Sequence, residues 1–287
     1  MPEPGPSCDV AIVGGGPVGL LAGCLLAGHG LEIAVIERRT TLSPHSRAIG
    51  IHPPGFAALA AVGLGEAVDA AAAPIRSGAV VCRGRRLGGI GFSGPVRSLP
   101  QRETERLLAE RLADIAPGAL RRGHDVRLVR ERGAGVVLAG TGGLHLGARY
   151  AVIADGVRSR SRAQLGIGWR RRPGSGHYVM ADGPDLGSVR EEAIIALEPD
   201  GVVESFPLPG GRRRWVVRLD APWAGGEGGR VRMPWHASSG SEPASTRTST
   251  NRAPSPSTST SPPASRAAAS PSSATPRTSS APSAGRA

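Results

Sequence analysis

Lysine is absent from the 287-residue chain, and asparagine occurs once, at Asn251. All 35 basic residues are therefore arginine; they stand against 23 acids and leave a net charge of +12. Lysine and asparagine codons are both A-rich, so the omission reads as a GC-rich coding sequence. Aromatic residues make up only 3% of the chain, too few for base-stacking platforms, and no reader motif accompanies the charge. Nucleic acid is therefore not an expected partner. The three cysteines, Cys8, Cys24 and Cys82, match no metal-ligand or disulfide spacing. That excludes a disulfide scaffold, leaves no metal site to expect, and makes a reduced, cytoplasmic protein the default. A bilayer-spanning run of about 18 to 20 apolar residues is also missing. The strongest candidate, residues 10–27, contains five glycines and a proline and lacks a basic leader, so neither a membrane span nor a signal peptide is expected.

What is present divides into two compositions. From residue 9 to about 220 the chain has apolar runs, turn glycines and both charge signs. From residue 237 to 287 there are 51 residues, of which 42 are Ser, Thr, Pro or Ala, and none is Val, Ile, Leu, Met, Phe, Trp, Tyr or Cys. Such a segment buries no apolar surface to offset its ordering entropy, and it is expected to be disordered. Residues 224–287 hold seven Arg and two acids, so they supply +5 of the net +12.

The first forty residues carry the most chemistry. Residues 9–13 (Asp-Val-Ala-Ile-Val) suit a buried parallel strand. They run into Gly14-Gly15-Gly16-Pro17-Val18-Gly19, which fits G-x-G-x-x-G through Gly14, Gly16 and Gly19. Residues 20–27 continue as an apolar helix that ends near Gly28 to Gly30, and residues 31–37 form a second strand closing on Glu37. Gly14 permits the tight turn, Gly16 lets a pyrophosphate approach the backbone, and Gly19 lets helix and strand pack closely. The helix start, where Pro17 precedes Val18, offers unpaired N–H groups from Val18 onward and a positive dipole end to phosphate. Glu37, 18 residues beyond Gly19, sits where a carboxylate accepts both ribose hydroxyls. The motif alone does not separate NAD from FAD.

The rest of the chain resembles the FAD-dependent aromatic-ring monooxygenases of the p-hydroxybenzoate hydroxylase type, the class A flavoprotein monooxygenases. Arg38 and residues 46–51 (Ser-Arg-Ala-Ile-Gly-Ile) resemble the segment whose arginine, here Arg47, reaches the cofactor near the pyrophosphate. Residues 99–105 (Leu-Pro-Gln-Arg-Glu-Thr-Glu) resemble the segment whose glutamine, here Gln101, touches the ribityl chain, followed by a helix to Leu112. Residues 154–159 resemble the Asp-Gly motif, here Asp155 and Gly156, that backs the pyrophosphate and is linked to nicotinamide cofactor binding. Residues 203–209 and 214–217 resemble the start of the substrate-domain sheet. The resemblance spans residues 8–222. It implies an α/β protein with a Rossmann-like FAD-binding domain over residues 1–168, the start of an incomplete substrate-binding β-sheet domain over 169–224, and a low-complexity tail over 225–287. It further implies NAD(P)H as co-substrate, and O₂ and a small phenolic or polyketide-like aromatic as reactants, with oxygen delivered from a flavin C4a-hydroperoxide. No universal catalytic acid or base comes with the family, so the catalytic residues stay unassigned. His52, His177 and Tyr178 read as structural, and Cys24 as helix packing.

Two departures stand out. Ile153 occupies the place before Ala-Asp-Gly where the family usually has glycine. The family's Gly-Asp-Ala-Ala-His run, which binds the flavin's phosphate and ribityl part, is absent from the chain. Reading the tail one base out of phase recovers it. With serine as TCN and arginine as CGN, the codon junctions from Ser273 through Thr278 permit Gly-Asp-Ala-Ala-His. The flanking junctions permit Arg-Val-Ala-Leu-Leu before it and Val-Val-Gly-Pro-Val-Gly-Gly-Ala after it, with a family-like apolar strand and glycines in order. A frameshift between about residues 220 and 237 is therefore expected, with weak or absent flavin retention in the chain as it stands. Alternatives are a flavin-dependent dehydrogenase or halogenase relative, or an inactive FAD-binding remnant. The halogenase Trp-x-Trp-x-Ile motif is absent.

Overall fold

The computed structural model describes residues 7–43, 48–170, 177–185, 187, 190–199, 201–219 and 248–251. All of these belong to one compact unit. Its first sheet is built around β1 (Cys8–Val13), which pairs in parallel with β2 (Ile33–Glu37) on one side and β9 (His145–Ile153) on the other. β6 (Leu120–Arg122) extends it in parallel beyond β2, while β7 (Val126–Arg132) and β8 (Gly135–Gly140) continue antiparallel beyond β9. The order is β6-β2-β1-β9-β8-β7. Between β1 and β2 runs α1 (Pro17–Gly28), giving the right-handed strand–helix–strand unit that the glycine motif anticipates. The helix begins three residues earlier than the apolar run suggests, because proline is already suited to a first helical turn.

Both faces of β1 and β2 are buried, which explains their β-branched sequences. On one face Val10, Ile12, Ile33 and Val35 pack with Leu20 and Cys24 of α1 and with Leu107, Leu108 and Leu112 of α4 (Gln101–Ile115). Leu59 of α2 (Pro53–Ala61) and Val68 of α3 (Gly65–Ala71) close the same cluster. On the other face Ala11, Val13, Ala34 and Ile36 pack with Val126, Val129 and Leu138 of β7 and β8 and with Leu146 of β9. The helix expected after Gln101 is α4, extending one turn past Leu112.

Cys24 is a packing residue. Its thiol is fully buried, donates toward the Leu108 carbonyl at 3.5 Å, and is pushed up to about 11 by burial. Cys8 is also buried and raised by burial. Alkylation of the native protein at pH 8 is therefore expected at Cys82, which is half-exposed, with Cys8 and Cys24 reacting only after unfolding. Peptide mapping after iodoacetamide checks this, and early labelling of Cys24 would show that α1 does not hold its core contact.

The second sheet has eight strands in the order β14-β10-β13-β12-β11-β4-β5-β3. β10 (His177–Pro184), β11 (Glu192–Glu198), β12 (Gly201–Leu208) and β13 (Arg212–Leu219) come from the region read as substrate-domain sheet. β3 (Gly50–Ile51), β4 (Ala73–Cys82) and β5 (Arg85–Ser98) come from the middle of the 1–168 segment, and β4 joins β11 in parallel. A cut at residue 168 therefore does not separate the two sheets, because the second takes strands from both sides of it. Buried Arg214 holds Asp182 across the β10–β13 pair through two contacts of 2.7 and 2.8 Å. Neighbouring Arg213, also buried, pairs with Asp185 at 3.1 Å. The remaining strand, β14 (Thr248–Asn251), lies inside the stretch expected to lack structure and pairs antiparallel with the outer edge of β10. The edge of β10 offers a ladder of N–H and C=O groups, which the backbone of β14 takes. Among the described residues no helix is long and apolar enough to cross a membrane, and no group of three or more His, Cys, Asp or Glu is placed to hold a metal ion.

Candidate functional site

At the carboxyl ends of β1, β2 and β9, where the chain turns into α1, the structure opens a cleft of about 450 Å³. This is the crevice in which parallel α/β sheets bind ligands. Gly14, Gly16, Pro17 and Val18 line it from the β1–α1 turn, Glu37 and Arg38 from the end of β2, Gln101 from the start of α4, and Asp155 and Gly156 from the segment after β9. Nine of the eleven cofactor-binding residues expected from sequence thus meet in one cavity. Gly19 stands just behind it, and Arg47 lies outside the described residues.

The glycines divide the work as the motif requires. Gly14 has φ +108°, and a Cβ there would run into the Ala154 carbonyl. A Cβ on Gly19 would collide with the Gly14 carbonyl oxygen, so α1 crosses the turn at a distance only glycine allows. Gly16 is different: a Cβ there would meet no protein atom within 4 Å, and the residue lines the cleft. Its lack of a side chain serves no internal packing and keeps open the space in front of the helix. Gly16 is also the N-cap of α1; no side chain caps that end and no acid occupies the first turn. The first N–H groups and the positive end of the helix dipole face the cleft, a ready position for phosphate oxygens.

Glu37 is buried at the floor of the cleft, 5% exposed. Its Oε2 accepts from the Gly15 N–H at 2.7 Å, and its Oε1 accepts from the Arg39 N–H and Nε–H at 2.9 Å each. Burial alone pushes this carboxyl up, but the three donated hydrogen bonds and the Arg39 charge outweigh it, and the group lies below its ordinary value of 4.5. A carboxyl lowered on folding contributes stability that is present above the unfolded value and lost as pH falls through the folded one. Wild type is therefore expected to melt higher than Glu37→Gln at pH 6, with the gap closing below pH ~4.5; a gap that does not vary with pH would contradict the assignment.

Asp155 sits on the opposite wall, where its Oδ2 accepts from the Ser161 N–H at 3.2 Å, and Gly156 takes φ +87° to turn the chain past it. Ile153 does not crowd this turn. It ends β9 and packs against the second core cluster.

Sequence reasoning missed several lining or supporting residues. Gly15 carries no place in G-x-G-x-x-G, yet its Cβ would fall 2.8 Å from that of Glu37, and its N–H holds the carboxylate. Arg39 had a signal, adjacency to the acid. Arg158 lay within the Asp-Gly segment. His124, Asp125 and Arg160 had none, because only the folded sheet brings the start of β7 to this cleft; there Arg160 pairs with Asp125 at 2.8 Å. His52 stands exposed at the start of α2, and His177 and Tyr178 begin β10; none of the three lines the cleft.

An uncapped helix start behind an open glycine, a buried acid on the adjacent strand and a second acid just after the third strand define a dinucleotide-binding α/β fold. The chain belongs to the family described as FAD binding domain, which matches residues 7–267. It is similar to a rifampicin monooxygenase from Streptomyces venezuelae, at 31% identity over 221 residues, covering 73% of this chain and 45% of that protein. It is similar also to a 12-dehydrotetracycline 5-monooxygenase/anhydrotetracycline 6-monooxygenase from Streptomyces rimosus, at 31% identity over 232 residues, covering 75% and 46%. Among solved structures it resembles aklavinone-11 hydroxylase in a ternary complex with FAD and aklavinone, with TM-score 0.64, 28% identity, and coverage of 76% of this chain and 47% of that one. The lineage is one of flavin-dependent oxidoreductases that are aromatic monooxygenases. The chain spans less than half the length of either curated relative.

Proposed function

We propose that the cleft holds FAD through its adenosine and diphosphate half, and that the full machinery to which this chain corresponds is an NAD(P)H-driven, cytoplasmic monooxygenase acting on a phenolic or polyketide-like aromatic. The observation that carries the reading is Gly16: its missing side chain leaves space that no protein atom fills, directly before an uncapped helix N-terminus. The donor set fits the group. Backbone N–H groups of Val18 and Gly19, which follow Pro17 in the first turn, and the Arg38 side chain receive the diphosphate, Glu37 accepts the ribose hydroxyls, Gln101 meets the ribityl chain, and Asp155 and Gly156 back the pyrophosphate. Arg47, which the family resemblance assigns to the pyrophosphate, lies outside the described residues. Bound flavin, reduced by NAD(P)H, supplies the oxygen activation; the chain's own residues bind, orient and screen it from water.

Ribose hydroxyls donating to Glu37 compete with Arg39 for Oε1, so the acid must be ionised and shared for the ligand to seat. Glu37→Gln is expected to weaken FAD roughly tenfold, the loss of a charge-assisted acceptor. The monooxygenase activity is tested on a gene whose tail is returned to the frame that encodes Gly-Asp-Ala-Ala-His. NADPH-driven O₂ uptake stimulated by added phenols is the expected outcome. Substrate turnover without O₂ uptake would favour the dehydrogenase reading instead.

A further inference from the structure

Behind Gln101, one turn along α4, lies a carboxylate that the binding scheme does not use. Glu105 is 2% exposed and lines the inner wall of the cleft. Its Oε1 accepts from the Gln101 Nε2 at 2.9 Å. Its Oε2 is buried without a hydrogen bond and has the Arg39 Nη2 at 3.8 Å as its charged neighbour. A carboxyl oxygen in such a place costs free energy, and burying it next to the cleft is not explained by packing, since an aliphatic side chain would fill the same volume at lower cost.

We propose that Glu105 is a positioning residue for the flavin side of the cofactor, and the inference rests on the FAD reading of this cleft. An amide has two ends, one donating and one accepting, and a free glutamine presents either. A carboxylate only accepts, so Gln101 must turn its NH₂ toward Glu105. Its carbonyl oxygen is then the end left for the cleft, and it carries no hydrogen bond among the described residues. The ribityl chain is a row of hydroxyls, each able to donate to such an oxygen. Glu105 thus fixes the polarity of Gln101 before the ligand arrives, which removes the choice of amide orientation from the cost of binding. The Arg39 guanidinium does not depend on this contact for its place, because its Nε and backbone N–H are already held by Glu37. The effect of Glu105 is therefore confined to the flavin half of the ligand, and the adenosine half serves as an internal control.

The test is the affinity of the full chain for FAD and for ADP, measured by fluorescence quenching and calorimetry, in wild type, Glu105→Gln, Gln101→Ala and the double variant. Thermal melting of each without ligand checks that the isosteric Glu105→Gln is folded. The expected result is about a tenfold loss of FAD affinity in Glu105→Gln, ADP affinity within about twofold of wild type, and no further loss when the substitution is made on top of Gln101→Ala. Equal losses for FAD and ADP, no loss for either, or a full additional loss in the Gln101→Ala background would overturn the positioning role while leaving the FAD reading standing. Failure of the wild-type chain to bind both ligands would overturn the FAD reading, and the role of Glu105 with it.

Discussion

Gly16→Ala is expected to leave the melting temperature of the ligand-free protein unchanged and to cut FAD affinity by about two orders of magnitude. The two halves of that expectation have separate causes. At φ −82° the backbone of Gly16 suits alanine, and the added methyl touches no protein atom within 4 Å. Folding therefore does not register it. The methyl projects into the space before the helix N-terminus, where the diphosphate must come within hydrogen-bonding distance of the N–H groups, and even one misplaced charge-assisted contact there is worth about 1.5 to 3 kcal/mol. Gly19→Ala behaves in the opposite way. Its methyl would collide with the Gly14 carbonyl, which belongs to backbone clamped between β1 and Ala154 and has nowhere to go. That variant should lose both stability, by at least ~1 to 3 kcal/mol of overpacking strain, and FAD binding. Denaturation curves and FAD titrations on the two variants, side by side, distinguish a ligand-shaped turn from a merely structural one. If Gly16→Ala destabilised the fold as Gly19→Ala does, the open space would belong to packing.

The second large effect concerns the carboxyl-terminal stretch. We propose that residues beyond about 225 are translated out of phase, on the ground that one shifted reading of residues 273–278 restores a flavin-phosphate motif that the rest of the family resemblance demands. Returning the gene to that frame should raise FAD affinity by roughly 100-fold, as a second set of phosphate and ribityl contacts of ~3 kcal/mol in total joins those already present. The frame-restored protein should purify yellow, and the chain as it stands should lose its flavin on gel filtration. Sequencing across codons 220–287 gives an independent check. Serine codons of the AGC type across residues 270–283 would scramble the recovered string and end the proposal.

Much of the cradle was legible because it is local. A strand, a turn, a helix and a second strand follow one another within residues 8–37, and each glycine's task is set by its immediate neighbours. Glu37 could be placed by counting. Gln101 and Asp155 came from resemblance, since nothing in their spacing brings α4 and the end of β9 to the same cleft. Gly15 and Glu105 escaped for a shared reason. They support other residues rather than facing the ligand first, so their roles exist only as distances to Glu37 and Gln101. The second sheet was half legible. β12 and β13 were placed by resemblance, β10 and β11 fell inside the region read as substrate domain without being read as strands, and β3–β5 join them from residues 50–98 through pairing that no local pattern encodes. β5 in particular is rich in glycine and exposed for most of its length, without the alternation that marks a half-buried strand. β14 was hidden inside a segment whose composition argues against order, because pairing to an open edge asks only for backbone.

Titration of the purified chain with FAD, with ADP and riboflavin as competitors, tests the central claim most directly. Saturable one-to-one FAD binding is expected, displaced readily by ADP and only weakly by riboflavin, because most of the cleft's residues recognise the adenosine diphosphate half and Gln101 alone meets the ribityl chain. Displacement by riboflavin with no effect of ADP, or no saturable FAD binding at all, would contradict it.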